Sequence, residues 1–252
     1  MNRPDDEPKL PTDSMSQRPV AGRAFSVQRR IRLSDMDAGG RLRLDAVARY
    51  LQDVATDDVA ETGWGAPDHL WVVRRYRVDV LVPFVEDREV ELVTWGSGVG
   101  SVAAGRRTSL AGDRDGRIEA DSVWIHLGPD GRPARLEDFG VYAASAGGRE
   151  VSTKKMLPDP PADAPRTPWP LRSTDVDVLG HANNAVHWHA VEHALLPARL
   201  DPLRPFSAVL EYRHAIDLGD EIELVEFADG NAVALAFATA STVKAVGRFE
   251  QL

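Results

Sequence analysis

Apolar residues recur at helical spacing in two places along the chain. Leu44, Val47, Ala48, Leu51 and Ala55 fall on one face of a 3.6-residue period that runs out near Gly63. Val186, Ala190, Val191, Ala194 and Leu195 repeat that pattern, and Pro197 supplies a stop. After each predicted helix come short runs rich in Val, Leu and aromatic residues. They lie at 70–82, 88–95, 102–110 and 117–127 in the first half, and at 206–214, 221–227, 232–239 and 241–249 in the second. Each half therefore reads as a strand, one long helix and a series of antiparallel strands. Such a sheet has an apolar face to cover, and the helix is the available cover, which gives an α+β fold.

The two halves are also alike in detail. Ser34-Asp35-Met36-Asp37-Ala38-Gly39-Gly40-Arg41 aligns with Thr174-Asp175-Val176-Asp177-Val178-Leu179-Gly180-His181, and both contain D-x-D-x-x-G ahead of a helix. Downstream, Glu89-Val90-Glu91-Leu92-Val93 echoes Glu221-Ile222-Glu223-Leu224-Val225. Two echoes in the same order point to a duplicated fold with one shortened connection. The expected organisation is a disordered polar tail (1–22), a first domain (23–140), a Gly- and Pro-rich linker (141–165) and a second domain (166–252).

Composition narrows the function classes. With 43% hydrophobic and 27% charged residues, the chain is an ordinary globular sequence. No run reaches the roughly 18–20 apolar residues that cross a bilayer, and the N-terminus has no secretory pattern. Cysteine is absent, which removes disulfides, thiolate metal sites and a Cys nucleophile and fits a cytoplasmic location. The net charge of −9 argues against a nucleic-acid partner.

Asp177-Val-Leu-Gly-His181-Ala-Asn183-Asn184 resembles the D-x-x-G-H-V-N-N signature of the hotdog thioesterase superfamily. Its duplication in one chain is similar to the acyl-ACP thioesterases. Leu70-Trp71-Val72-Val73-Arg74-Arg75 and Val93-Thr94-Trp95 look like the bacterial branch of that family. The resemblance covers about residues 25–252 and implies a tandem hotdog, each half a long helix wrapped by an antiparallel sheet. It also implies hydrolysis of a fatty acyl thioester carried on acyl carrier protein or CoA, with no cofactor. Two joined hotdogs already supply the pair that single-hotdog enzymes form by dimerising, so a monomer or a homodimer is expected. The plant enzymes of the family carry an Asn where this chain has Leu179 and a Glu where it has Ala215.

Thioester hydrolysis needs an activated water or nucleophile and donors for a developing oxyanion. Asp177 precedes a helix start and is suited to act as general base or nucleophile. His181 is suited to hydrogen-bond the substrate or to orient Asp177. Asn183 is a capping residue, and the N–H of Asn184 is a candidate oxyanion donor. The bland alternative is that Asp177 and Asn183 are only turn and cap residues. In the first copy Arg41 replaces His181, and Arg43 and Leu44 replace the Asn pair, so one working site per chain is expected.

Other features compete. His189-Ala-Val-Glu192-His193 matches the H-x-x-E-H zinc pattern, but an amphipathic helix with that polar face turned to solvent accounts for it more simply. Arg74, Arg75, Arg77, Arg106 and Arg107 are either solvated strand faces or a patch for phosphopantetheine or an acidic carrier. A hotdog hydratase or dehydratase, or a non-catalytic acyl-binding module, would use the same fold.

Overall fold

In the computed structural model, which describes residues 15, 17–63, 70–136, 138–194 and 199–252, the two halves share one antiparallel sheet. The first half supplies β1 (Ala24–Arg30), helix α1 (Leu44–Thr62), β2 (Leu70–Val82), β3 (Glu89–Val99), β4 (Ala103–Gly112) and β5 (Arg117–Leu127). A connection with the single-turn helix α2 (Ala143–Ala146) leads to the second half. That half supplies β6 (Arg166–Pro168), helix α3 (Asn184–Ala194), β7 (Phe206–Tyr212), β8 (Glu223–Asp229), β9 (Ala232–Ala238) and β10 (Val243–Gln251). The strand order is β1-β3-β4-β5-β2-β7-β10-β9-β8-β6. Read from either end, this order is the same series of equivalent strands, so the halves are related by a pseudo-two-fold between β2 and β7. Those two strands pair from Arg75↔Glu211 to Val80↔Phe206.

The helical periodicity is realised as read. Val47, Leu51 and Val54 of α1 and Trp188, Ala190 and Val191 of α3 are buried in one core with Tyr76, Leu92, Leu210 and Phe237 of the sheet. Both helices lie on the same face and pack against each other. α1 ends at Gly63, whose φ of 63° is the left-handed stop that glycine favours. The predicted continuation through Leu195 to Pro197 lies outside the described residues, as does most of the expected N-terminal tail. The expected strands appear within a few residues of their predicted limits.

The connection between the halves crosses the opposite face of the sheet. Leu157 packs with Val209, Val225 and Val246, and Val151 lies so close to Gly98 and Gly105 that a Cβ at either would come within 2.8 Å of it. Arginines hold this segment by its carbonyls. Arg74 donates to Thr153 O at 3.2 Å, Arg75 to Ser152 O at 3.3 Å and Arg213 to Leu157 O at 2.7 Å, while Arg149 of the connection itself donates to Ser97 O of β3 at 2.7 Å. Arg77 is buried against Asp79, and Arg107 against Glu119. Arg74, Arg75, Arg77 and Arg107 thus do not form one solvated face. Most of them fasten chain to chain.

Candidate active site

The repeated D-x-D-x-x-G frame folds into the same loop twice. The first aspartate of each copy is structural: the carbonyls of Asp35 and Asp175 accept from Arg43 N and Asn183 N, and their side chains accept from Arg32 N and Arg172 N. The second aspartate opens a tight turn, in which Gly40 N and Gly180 N donate to Asp37 O and Asp177 O at 3.0 Å. Gly40 and Gly180 have φ of 80° and 82°, a region that disfavours any Cβ. The turn delivers the chain into α1 at Leu44 and into α3 at Asn184.

In the second half the four expected site residues come together at the start of α3. Asp177 accepts from Leu179 N at 2.9 Å and from Asn183 Nδ2 at 3.3 Å. Asn183 caps the helix, its Oδ1 taking Ala185 N at 3.0 Å. The Asn184 N–H has no hydrogen bond among the described residues. As the first N–H of the helix, it stands at the positive end of the helix dipole. His181 makes no side-chain bond to Asp177. Its Nδ1 lies 2.8 Å from Asp217 Oδ1, and a carboxylate only accepts, so Nδ1 carries the proton of that bond. Asp217 had no sequence signal: it follows β7, and an isolated bridge sets it opposite His181.

The first half fills the corresponding space. Arg41 is buried, with Nε 3.0 Å from Asp37 Oδ2 and Nη2 2.6 Å from Glu192 Oε2. Glu192 reaches across from α3 and also accepts the Leu44 N–H at 2.6 Å. A carboxylate of the protein therefore occupies the N-terminus of α1. The mates of Leu44 and Glu192 under the pseudo-two-fold are Asn184 and Gln52, so the position equivalent to Glu192 carries a neutral residue.

The H-x-x-E-H residues are likewise drawn apart. His189 Nε2 pairs with Asp45 Oδ2 at 2.9 Å, Glu192 with Arg41, and His193 stacks near Trp169 at 5.8 Å between ring centroids. The first two are turned to partners on or before α1, contrary to the expectation of a solvated face, while His193 is exposed. Burial would raise the Asp45 carboxyl, but bonds from His189, Arg43 and Arg49 outweigh it and hold the group well below the usual range.

Solved structures share this architecture. An acyl-ACP thioesterase of Bacteroides thetaiotaomicron superposes with a TM-score of 0.74 at 17% identity, over 90% of this chain and 97% of that one. A 12:0-ACP thioesterase of Umbellularia californica gives 0.73 at 18% identity, over 91% and 97%. The fold is thus a double hotdog. An uncharacterized protein of Mycobacterium tuberculosis is 29% identical over 95% of this chain and 96% of its own length. Residues 22–138 match the family model of the acyl-ACP thioesterase N-terminal domain, and residues 159–245 match that of the C-terminal domain. The chain belongs to the acyl-ACP thioesterase family, enzymes that hydrolyse fatty acyl thioesters. No helix among the described residues is long and apolar enough to cross a membrane.

Proposed function

We propose that the chain releases free fatty acid from an acyl-ACP or acyl-CoA thioester at one site, formed by Asp177, His181, Asn183 and Asn184. The observation that carries this reading is the Asn184 N–H, which has no partner among the described residues, at a position where the first half has a carboxylate seated. The substrate carbonyl oxygen takes that N–H. The Asp177 carboxylate, steadied by Asn183 Nδ2, removes a proton from water as the water oxygen bonds to the carbonyl carbon. The oxyanion forms against the dipole of α3. As the C–S bond breaks, the thiolate leaves and recovers the proton, with His181 Nε2 as the relay and Asp217 holding its ring. Asp217 supplies a carboxylate near the place where Ala215 leaves the plant family's Glu missing.

The test is release of free thiol from acyl-ACP and acyl-CoA panels, with fatty acid measured alongside. Release of both products in equal amount is expected. Tight acyl binding with no release would replace the hydrolase by a binding module. Under single turnover in ¹⁸O-labelled water, label entering the Asp177 carboxyl would replace base catalysis by attack of Asp177 itself.

A further inference from the structure

Between α1 and the covered face of the first-half sheet lies a cavity of about 380 Å³, lined by Gln52, Thr56, Trp71, Trp124, Arg106 and Tyr142 among others. On α1 its lining runs from Gln52, the pseudo-two-fold mate of Glu192, through Ala55, Thr56 and Val59 to Ala60. Most of its wall is apolar, as an acyl chain requires. Arg106 is out of keeping with such a wall.

The Arg106 side chain is 12% exposed. Its two hydrogen bonds among the described residues both leave from Nη1, to Asp58 Oδ2 at 2.5 Å and to Thr94 Oγ1 at 3.3 Å. The guanidinium lies over the Tyr142 ring at 5.2 Å, and the Tyr142 hydroxyl is also close to it. A guanidinium has five N–H donors. Even if the hydroxyl takes one, at least two have no protein acceptor among the described residues. The fully buried Asp58 carboxylate is shared with Arg23, at 2.6 Å, and Arg23 also pairs with Glu61 at 2.9 Å. An arginine kept only to anchor α1 would not need spare donors on an acyl cavity.

Resting on the hydrolytic reading of Asp177 and Asn184, we propose that the preferred acyl group carries an oxygen, as hydroxyl or carboxylate, at its far end and that Arg106 binds it. Arg106 meets α1 at Asp58, six residues beyond Gln52, which is about 9 Å along the helix. An extended chain advances about 1.2 Å per bond, so that distance spans about seven or eight bonds. The substrate class is therefore a medium-length ω-oxygenated acyl thioester.

The experiment compares octanoyl, ω-hydroxyoctanoyl and suberyl thioesters on acyl carrier protein. At least one oxygenated substrate is expected to exceed octanoyl by about tenfold or more in kcat/KM, because a site built for a polar group discriminates against its absence. R106Q is expected to bring that ratio close to one, and R106K serves if R106Q fails to fold. Octanoyl hydrolysed as well as, or better than, both oxygenated substrates would overturn the proposal. Calorimetric binding of the corresponding non-hydrolysable amides separates the two readings. No thiol release from any substrate defeats the hydrolytic site, whereas equal binding of the three amides defeats the role of Arg106.

Discussion

The two copies of the D-x-D-x-x-G loop have nearly the same backbone and opposite contents. At the first, the N-terminus of α1 is filled by Glu192, and Arg41 joins that carboxylate to Asp37 in a largely buried cluster. At the second, the Asn184 N–H and the Asp177 carboxylate have no ion partner among the described residues, and His181 is turned to Asp217. An anion-binding helix start can serve a fold by accepting one of its own carboxylates or serve a reaction by remaining free. This chain does each once, and the choice rests on Arg41 against His181 and Glu192 against Gln52.

The largest effect separates the two aspartates. D177N is expected to lower kcat by about a thousandfold or more, while D37N keeps kcat within about twofold in folded protein. Steady-state thiol release on both variants is the measurement. Equal losses would mean that both loops are catalytic. Next, E192A removes the partner of a buried arginine and the cap of α1. Arg41 retains Asp37, so the cost is expected at the low end for a broken buried pair, about 3 kcal/mol in urea unfolding. No loss of stability would show that the first loop is not held by this cluster.

A pH effect of similar size distinguishes the helices. Val47 of α1 has as its mate His187 of α3, buried between Tyr212 and Phe237. Desolvation lowers the His187 imidazole from 6.5 to about 4. The unfolded chain therefore binds a proton before the folded one does. The stability is fully present above pH 6.5 and is lost as the pH falls toward 4, by up to about 3 kcal/mol. H187V is expected to flatten this acid limb even if it lowers stability overall. An unchanged slope would assign the acid sensitivity to other groups.

The oriented histidine gives a smaller kinetic effect. D217N leaves an amide where His181 Nδ1 has a carboxylate, and a loss of about ten- to a hundredfold in kcat is expected, by analogy with other partners that orient a functional histidine. A variant with the activity of the wild type would mean that the contact is incidental.

How much of this was legible beforehand follows from the range of each signal. The helix starts, the two loops and the strands are written in local spacing, so Asp177, His181, Asn183 and the long helices could be read from the chain. Asp217 could not, because a bridge outside any regular strand brings it to His181. Gln52 gave no signal either, since its place depends on how α1 and α3 cross. The strand arginines are ambiguous in the sequence because alternation reports sides of a sheet and does not report what covers them. The connection covers part of that side, and its path follows from hydrogen bonds such as Met156 N to Glu211 Oε2 at 2.7 Å.

The smallest expected effect is the most direct exchange between the halves. Q52E places on α1 the carboxylate that α3 carries at Glu192. If the pseudo-two-fold holds at side-chain level, the introduced carboxylate takes the Asn184 N–H and competes with the substrate oxygen. A charge at a helix start is worth about 0.3–2 kcal/mol, so kcat/KM is expected to fall about tenfold. The inhibition needs the ionised form, whose ordinary pKa is about 4.3. It is therefore complete at neutral pH and weakens as the pH falls toward that value, and the ratio of variant to wild-type rate removes the acid loss from His187 common to both. A Q52E enzyme as fast as wild type across that range would show that the α3 start is not reached from α1. A pH-independent loss would point to steric blockage of the cavity instead of self-capping.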